Sequence, residues 1–480
     1  MNRITKRFGG ANTQCAIWIA LCFSATSMMY LAWLYRLMDG MDAVRVDAVS
    51  MVAGYASQAA GIGLGCLLLR KSGVSAQKAL WAVMLLFVCM SVPAVFQQLT
   101  AALVFGLGMN LLCGIIVAFY LFFPCLRQDV KNGGTVFGAG YALSTLSVWL
   151  LSLLDGGKLF RGHFVVPITG AAACIACVYA GRRGLTPMDV QETQEVSPQA
   201  WVLPVGAVFP MSLVKNLGFG FPASDLTAGL PLELSRLFYA LGLVVAGIVC
   251  DRKRQWGGAC TLVALAMPFL MMALSGSAEK VPAFALWSLD YLFYGFFSVY
   301  RVVLFWDLAR ERKQFFMAPL GLLTGRLGDA AGTGIYLLLR HHSIWLLSLA
   351  MVLFIIAAFV LLHLFQTLYA PKENPVRSEH EVFESFSVQH DLSAREREVL
   401  RLILAEKTNA KIAQALYVTE STAKYHVHNI LRKSGVKSRM ELIAAYARFR
   451  YPDMRERRCE GAEVLFLERK RESSRSADVG

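Results

Sequence analysis

Charged residues are scarce in this 480-residue chain, at 17% of the sequence, whereas 56% of its residues are hydrophobic. Soluble globular domains usually contain about 25% charged and about 45–50% apolar residues. The mean hydropathy is positive, at +0.50, which likewise indicates an unusually apolar chain. The composition excludes a single soluble enzyme as the main architecture and is typical of an integral membrane protein.

The sequence also lacks the cysteine pattern of a disulfide-bonded protein and the motifs of an enzyme. Most of the eleven cysteines lie in or beside apolar runs. Cys174 and Cys177 form a C-x-x-C within such a run, where we interpret them as small packing residues. No nucleophile–base group, Walker loop or metal-ligand cluster is recognisable. We therefore predict a non-enzymatic function with no catalytic residues, no metal and no cofactor.

Apolar runs of the length that crosses a bilayer recur along most of the chain. We predict twelve spans, at 13–35, 47–69, 78–97, 100–124, 134–154, 163–180, 200–220, 229–250, 257–275, 281–306, 316–339 and 342–369. If the N-terminus is cytoplasmic, the inside segments hold sixteen Lys and Arg residues and the outside loops hold six. The positive-inside rule then places both termini in the cytoplasm.

A polar stretch at 182–199 divides the predicted spans into six plus six. After span eight the chain reads GIVCDR at 247–252, and after span two it reads GCLLLR at 65–70. These segments resemble the G-x-x-x-D-R loop motif of the major facilitator superfamily, although the first copy lacks the acidic residue. The resemblance covers roughly residues 10–370 and implies an all-α, major-facilitator-like bundle over 1–370.

Ionisable residues inside membrane spans are costly, which makes them functional candidates. They concentrate in spans seven, eight, ten and eleven, where we predict a small-molecule cavity. The ligand-binding candidates are Lys215, Glu233, Arg236, Asp290, Tyr294, Arg301, Arg326 and Asp329. The alternative is local neutralisation, because Arg236 lies one helical turn from Glu233, as Arg326 does from Asp329.

The composition changes after Ala370. Residues 371–390 are polar and contain two prolines, which favours a linker, and residues 451–480 are expected to form a charged, disordered tail. Between them, 391–450 shows helical periodicity. Ser393 and Glu396 form a capping-box pattern, and Thr408 and Thr419 stand before two further apolar helical stretches. Three short helices and a fourth after Ser438 indicate a helix-turn-helix domain at 391–450.

The third of these helices has an outer face suited to DNA. Compact polar groups can read base edges and cations can bind phosphates. Residues 391–450 contain twelve Lys and Arg against six Asp and Glu, a local excess that favours a nucleic acid partner. The predicted DNA-binding residues are Thr408, Lys411, Ser421, Thr422, Lys424, Tyr425, His428, Asn429 and Arg432. The alternative is an ordinary solvated helix face.

Four blocks of this segment closely resemble the LuxR-type DNA-binding domain. They read LSAREREVL at 392–400, TNAKIA at 408–413, TESTAKYHVHNIL at 419–431 and GVKSR at 435–439. The resemblance implies a four-helix domain whose third helix enters the major groove and whose fourth helix mediates dimerisation on DNA. One departure is Glu406, which stands where the family usually has glycine.

These features predict a membrane-tethered one-component transcriptional regulator. Its expected partners are double-stranded promoter DNA, the lipid bilayer, an unknown small-molecule ligand and a second copy of the chain through the DNA-binding domain. Ligand would favour one of two membrane conformations, and the linker would pass that bias on by freeing the dimer face. The expected location is a bacterial inner (cytoplasmic) membrane. The alternative is a secondary transporter carrying an autoregulatory DNA-binding tail, which predicts ligand flux.

Overall fold

The computed structural model describes residues 10–70, 76–96, 98–154, 160, 164–182, 199–219, 232–274, 280–368 and 379–450. Over these residues every regular element is a helix. The chain divides into two compact units, Met1–Ala370 and Pro371–Gly480. The all-α class predicted from the sequence is confirmed.

The first unit is built from long apolar helices. In chain order they are α1 Gly10–Met38, α2 Ala43–Arg70, α3 Ala76–Phe96, α4 Leu99–Leu126, α5 Gly133–Leu154, α6 Val165–Arg182, α7 Gln199–Phe219, α8 Leu232–Arg252, α9 Arg254–Leu274, α10 Lys280–Glu311, α11 Leu320–Leu339 and α12 Ser343–Leu368. Among the described residues, eight helices are long and apolar enough to cross a membrane. The first unit is therefore multi-pass, and the number of twelve spans stays a prediction.

Glycines bring helices of the same half into backbone contact at equivalent places. A Cβ added at Gly61 of α2 would overlap the Leu111 carbonyl of α4. In the second half, a Cβ at Gly242 of α8 would overlap the Leu292 carbonyl of α10. Small residues at these points allow the close approach on which helix packing in lipid depends. The second and fourth helices of each half thus pack in the same way, as expected for a repeated six-helix unit.

The G-x-x-x-D-R motif at the end of α8 joins the two halves. Asp251 Oδ1 accepts a hydrogen bond from the Gly134 amide (2.8 Å), and its Oδ2 accepts from the Thr135 amide (2.7 Å) and hydroxyl (2.6 Å). These amides belong to the first turn of α5, where a helix dipole favours a carboxylate. Arg254 lies between Asp251 and Asp307. The first copy of the motif has Leu69 in place of the aspartate, so it cannot make the same bonds.

The second unit contains five short helices. They are α13 Glu379–Gln389, α14 Ala394–Leu404, α15 Asn409–Leu416, α16 Glu420–Lys433 and α17 Arg439–Arg450. Ser393 and Glu396 form the complete capping box at the start of α14. The Thr408 and Thr419 hydroxyls accept from backbone amides at the starts of α15 and α16. Local capping chemistry therefore places these helix starts where the sequence predicted them.

The predicted linker at 371–390 is wrong for residues 379–389, because these form α13. Val382, Phe383 and Phe386 are buried in the core of the second unit. The ring centroid of Phe386 lies 5.2 Å from that of Tyr446 and 5.4 Å from that of Phe449. In the sequence VFESF, Phe383 and Phe386 follow Val382 by one and four residues, a spacing that places all three on one face of a helix. The sequence analysis missed this pattern. The predicted disordered tail at 451–480 lies outside the described residues.

Glu406 has a φ of 56°, in the left-handed region where a Cβ is unfavourable. We expect Glu406→Gly to stabilise the turn between α14 and α15 by about 1 kcal/mol, since glycine adopts this conformation without steric cost. Amide hydrogen exchange in α14 and α15 of the full chain should slow by about fivefold if the exchange follows opening of this region. Glu398→Gly, within α14, is the matched control and should speed exchange; equal behaviour of the two variants would contradict the strain at residue 406.

Candidate functional site

The α16 helix presents the predicted DNA-binding face to solvent. Ser421, Lys424, Tyr425, His428 and Arg432 are exposed, whereas Thr422 and Asn429 are half-buried. The opposite face is buried in the core of the second unit through Ala423, Val427 and Ile430. The helix is therefore fixed on one side and leaves a continuous polar and cationic surface on the other, as a recognition helix requires.

Two further predicted residues lie at the start of α15. Thr408 caps this helix by accepting from the Lys411 amide, and both side chains are exposed. On α16, Lys424 Nζ lies 3.2 Å from Glu420 Oε1, with both side chains more than half exposed. Exposed ion pairs of this kind contribute little, about 0–1 kcal/mol. Lys424 can therefore exchange Glu420 for a phosphate at little energetic cost.

An ion pair between the exposed Lys433 and the buried Glu396, which the sequence analysis missed, fixes α16 to the start of α14. Lys433 Nζ donates to Glu396 Oε2 (2.7 Å) and to the Asp391 carbonyl (2.8 Å). Burial raises the pKa of the Glu396 carboxyl, but hydrogen bonds from Lys433 and Ser393 outweigh burial and hold this pKa below its usual range. The capping-box glutamate itself was the signal in the sequence, because its carboxylate accepts hydrogen bonds both from the Ser393 amide and from Lys433 at the end of α16.

The first unit encloses a cavity of about 370 Å³, within the size range of small-molecule sites. Both halves of the bundle line it, α1, α2, α4 and α5 from the first and α8, α10 and α11 from the second. Its walls are unusually rich in tyrosine, namely Tyr30, Tyr55, Tyr120, Tyr141, Tyr239, Tyr291 and Tyr294. Arg301 and Arg326 are its cationic lining residues.

Three cations surround one carboxylate beside this cavity. Lys215 Nζ, Arg301 Nη1 and Arg326 Nη1 each lie 3.5 Å from an oxygen of Asp329, which is fully buried. Each cation also faces an aromatic ring, with Lys215 4.9 Å from the Tyr294 centroid, Arg301 4.9 Å from that of Phe297 and Arg326 4.3 Å from that of Tyr55. The structure thus brings together Lys215, Arg301, Arg326 and Asp329 from α7, α10 and α11. The predicted intrahelical pairing of Arg326 with Asp329 is one part of this larger cluster.

The remaining ligand-binding candidates are placed differently. Asp290 is buried, and its Oδ2 accepts no hydrogen bond from a described residue. Neither Asp290 nor Lys215 lines the cavity, whereas Tyr294 does. The side chains of Glu233 and Arg236 lie outside the described residues. The sequence analysis placed the cavity in the second half and missed the tyrosines that α1, α2, α4 and α5 contribute to it. A polar hydroxyl group within an apolar run was the feature of the sequence that could have indicated them.

The fold of the long apolar helices is similar to that of a solved transporter. A mutant of the nucleoside transporter NupG is structurally similar with a TM-score of 0.50, over 75% of this chain and 100% of that chain. The two sequences are 13% identical, so the likeness concerns the fold alone. The all-α, transporter-like fold predicted for this part of the chain is confirmed.

The second unit matches the family model described as "Bacterial regulatory proteins, luxR family" over residues 390–446. The spore germination protein GerE of Bacillus subtilis is 39% identical over 57 residues, which are 12% of this chain and 77% of GerE. The nitrate/nitrite response regulator protein NarL of Escherichia coli is 46% identical over 52 residues, 11% of this chain and 24% of NarL. The transcriptional regulatory protein DegU of Brevibacillus brevis is 44% identical over 54 residues, 11% of this chain and 23% of DegU. This chain therefore spans most of GerE but only about a quarter of NarL and DegU, and through its C-terminal unit it belongs to the luxR family of bacterial regulatory proteins.

Proposed function

We propose that this protein is a membrane-tethered one-component transcriptional regulator. The first unit binds a small molecule in its tyrosine-lined cavity, and ligand occupancy controls promoter binding by the second unit. The luxR-family domain supplies the DNA interface, and the transporter-like fold supplies a bundle that can exist in more than one arrangement. The proposed role is regulatory rather than enzymatic.

The observation that carries this proposal is the cavity lined by both halves of the bundle. A ligand shifts a conformational equilibrium only by its differential affinity for the two states. Because helices of both halves contribute residues to the lining, a molecule bound in the cavity contacts both halves at once. Any change in how the halves approach each other alters those contacts, so binding favours one arrangement.

The proposed setting follows from the chemistry of the two units. DNA recognition requires the second unit to lie in the cytoplasm, and the excess of basic residues in the predicted inside loops favours the same orientation for both termini. We place the protein in a bacterial inner membrane. We also propose that it binds DNA as a homodimer through the DNA-binding domain, because promoter sites for helix-turn-helix proteins commonly consist of paired half-sites.

The proposal is tested by genome-wide DNA occupancy of the full-length protein in its native cell. We expect discrete promoter peaks that the double variant Lys424→Ala/His428→Ala reduces at least tenfold, because both exposed groups lie on the DNA-facing surface of α16. A matched control is Lys313→Ala, which removes an exposed cation of the first unit. Peaks that survive the double variant would contradict recognition through α16.

The transporter-like fold favours a second candidate function, a secondary transporter with an autoregulatory DNA-binding tail. This candidate predicts saturable uptake of the ligand into cells or proteoliposomes. A regulator without transport predicts saturable binding and no flux. The two are separated by measuring uptake and promoter occupancy on the same full-length protein.

A further inference from the structure

The cation cluster beside the cavity carries more positive than negative charge. Lys215, Arg301 and Arg326 share Asp329, and their side chains are only 11%, 7% and 23% exposed. Among the described residues, Asp290 is a further buried acid, and it is close enough to Lys215 to interact with its charge. Counting Asp290 as ionised leaves one excess positive charge, and counting it as neutral leaves two. Buried charge without a partner is strongly unfavourable, so the cluster is suited to accept an anion.

The hydrogen-bonding state of Arg301 supports the same conclusion. This side chain lines the cavity, yet its Nε and Nη1 groups donate no hydrogen bond to a described residue. A guanidinium offers planar pairs of donors that match a carboxylate. Arg301 Nη1 lies 3.5 Å from Asp329 Oδ2 without forming a hydrogen bond, so this guanidinium is ion-paired but lacks hydrogen-bond acceptors among the described residues, and it belongs to the lining of the cavity.

Room for this arginine depends on Gly325 of α11. A Cβ added at Gly325 would lie 2.7 Å from Arg301 Nη1. Because that atom ends a flexible side chain, the guanidinium can move away while the helices stay in place. Substitution of Gly325 therefore displaces Arg301 without removing its charge.

The walls of the cavity add a second recognition element. Tyr239 stacks on Tyr294 with centroids 5.2 Å apart, and Tyr30 stacks on Tyr55 at 6.1 Å, so flat aromatic groups enclose the space from both halves. Aromatic rings prefer offset-stacked and edge-to-face contacts with one another. A saturated ring of similar size cannot make these contacts equally well.

We propose that the cavity binds a small organic anion that carries one aromatic ring and one carboxylate. The carboxylate pairs with Arg301 and Arg326, and the ring packs among the tyrosines. This inference rests on the proposed function for its biological meaning, since it names the class of the ligand that the regulator senses. Its physical basis is the charge imbalance and the aromatic lining of the same cavity.

The test measures binding to the purified full-length protein without DNA. We expect phenylacetate to bind about tenfold more tightly than phenylacetamide, which has nearly the same shape but no charge. Phenylacetate should also bind more tightly than cyclohexylacetate, which keeps the charge but lacks the aromatic ring. Equal binding of the acid and the amide, absence of binding by the acid, or tighter binding of uridine would overturn the anion proposal. Equal or tighter binding of cyclohexylacetate would overturn its aromatic part.

Variants of the cation cluster test whether it causes the preference for the acid over the amide. We expect Arg301→Gln and Gly325→Ala each to reduce the preference for phenylacetate over phenylacetamide at least fivefold, and Gly325→Ala does so with every charge retained. The matched control is Arg127→Gln, which removes an arginine that pairs with Asp129 away from the cavity. A preference that both variants leave intact would overturn the assignment. If the acid preference holds but promoter occupancy does not respond to the anion, the regulatory function fails and the binding inference stands.

Discussion

Replacing Asp329 with asparagine is expected to destabilise the membrane unit by about 3–5 kcal/mol, the usual cost of leaving a buried charge without its partner. The carboxylate of Asp329 is fully buried and is shared by Lys215, Arg301 and Arg326. Asparagine keeps the size of the side chain but supplies no negative charge, so three cations would repel one another. The measurement is the thermal unfolding midpoint of the full-length protein in detergent, together with its monodisperse yield.

Two comparisons make this result specific to the cluster. The double variant Asp329→Asn/Arg326→Gln removes one charge of each sign and should recover part of the lost stability. Asp129→Asn removes a carboxylate that is 53% exposed and should change the midpoint little. An unfolding midpoint for Asp329→Asn equal to that of the unmodified protein would contradict the proposed electrostatic role of Asp329.

Replacing Asp251 with asparagine is expected to loosen the contact between the two halves of the membrane unit. The carboxylate is almost fully buried, and it accepts two backbone hydrogen bonds from α5 and one from the Thr135 hydroxyl. Hydrogen bonds to charged groups contribute about 1.5–3 kcal/mol each, and an asparagine amide would direct its own donors towards one of these N–H groups. We expect amide exchange at Gly134 and Thr135 to accelerate by at least tenfold.

The matched variant is Asp307→Asn. The native Asp307 pairs with Arg254 at the same end of the bundle, but among the described residues it accepts no hydrogen bond from α5. It should leave the exchange of Gly134 and Thr135 close to that of the unmodified protein. Under the proposed function, Asp251→Asn should also change promoter occupancy in the absence of ligand. Unchanged exchange at α5 in this variant would rule out Asp251 as the link between the halves.

The second unit could be predicted closely from the sequence because its signals are local. Ser393, Thr408 and Thr419 cap the helices that follow them within three residues, and Gly435 has the positive φ expected of a residue that ends a helix. The left-handed conformation of Glu406 explains why this position usually favours glycine. Its side chain does not prevent the turn, since the backbone hydrogen bonds around it are formed.

The cavity was only partly predictable because it depends on contacts between distant segments. The charges of α7, α10 and α11 were visible in the sequence as costly residues within apolar runs. Their convergence on Asp329 could not be deduced, because nothing local relates Lys215 to Arg301. Tyr30 and Tyr141 were overlooked for a related reason, since an aromatic residue in a span is compatible with lipid contact, core packing and a cavity wall alike.

The placement of α13 determines where a mechanical load on the chain would act. Phe386 of α13 lies among the aromatic rings of α17, and Glu384 receives a 2.8 Å hydrogen bond from Arg397 of α14. A pull at the N-terminal end of α13 is therefore transmitted first to α17 and to the start of α14. The predicted DNA-binding face of α16 takes no part in these contacts, so tension would act on α17 and α14 before it acted on the predicted DNA-binding side chains.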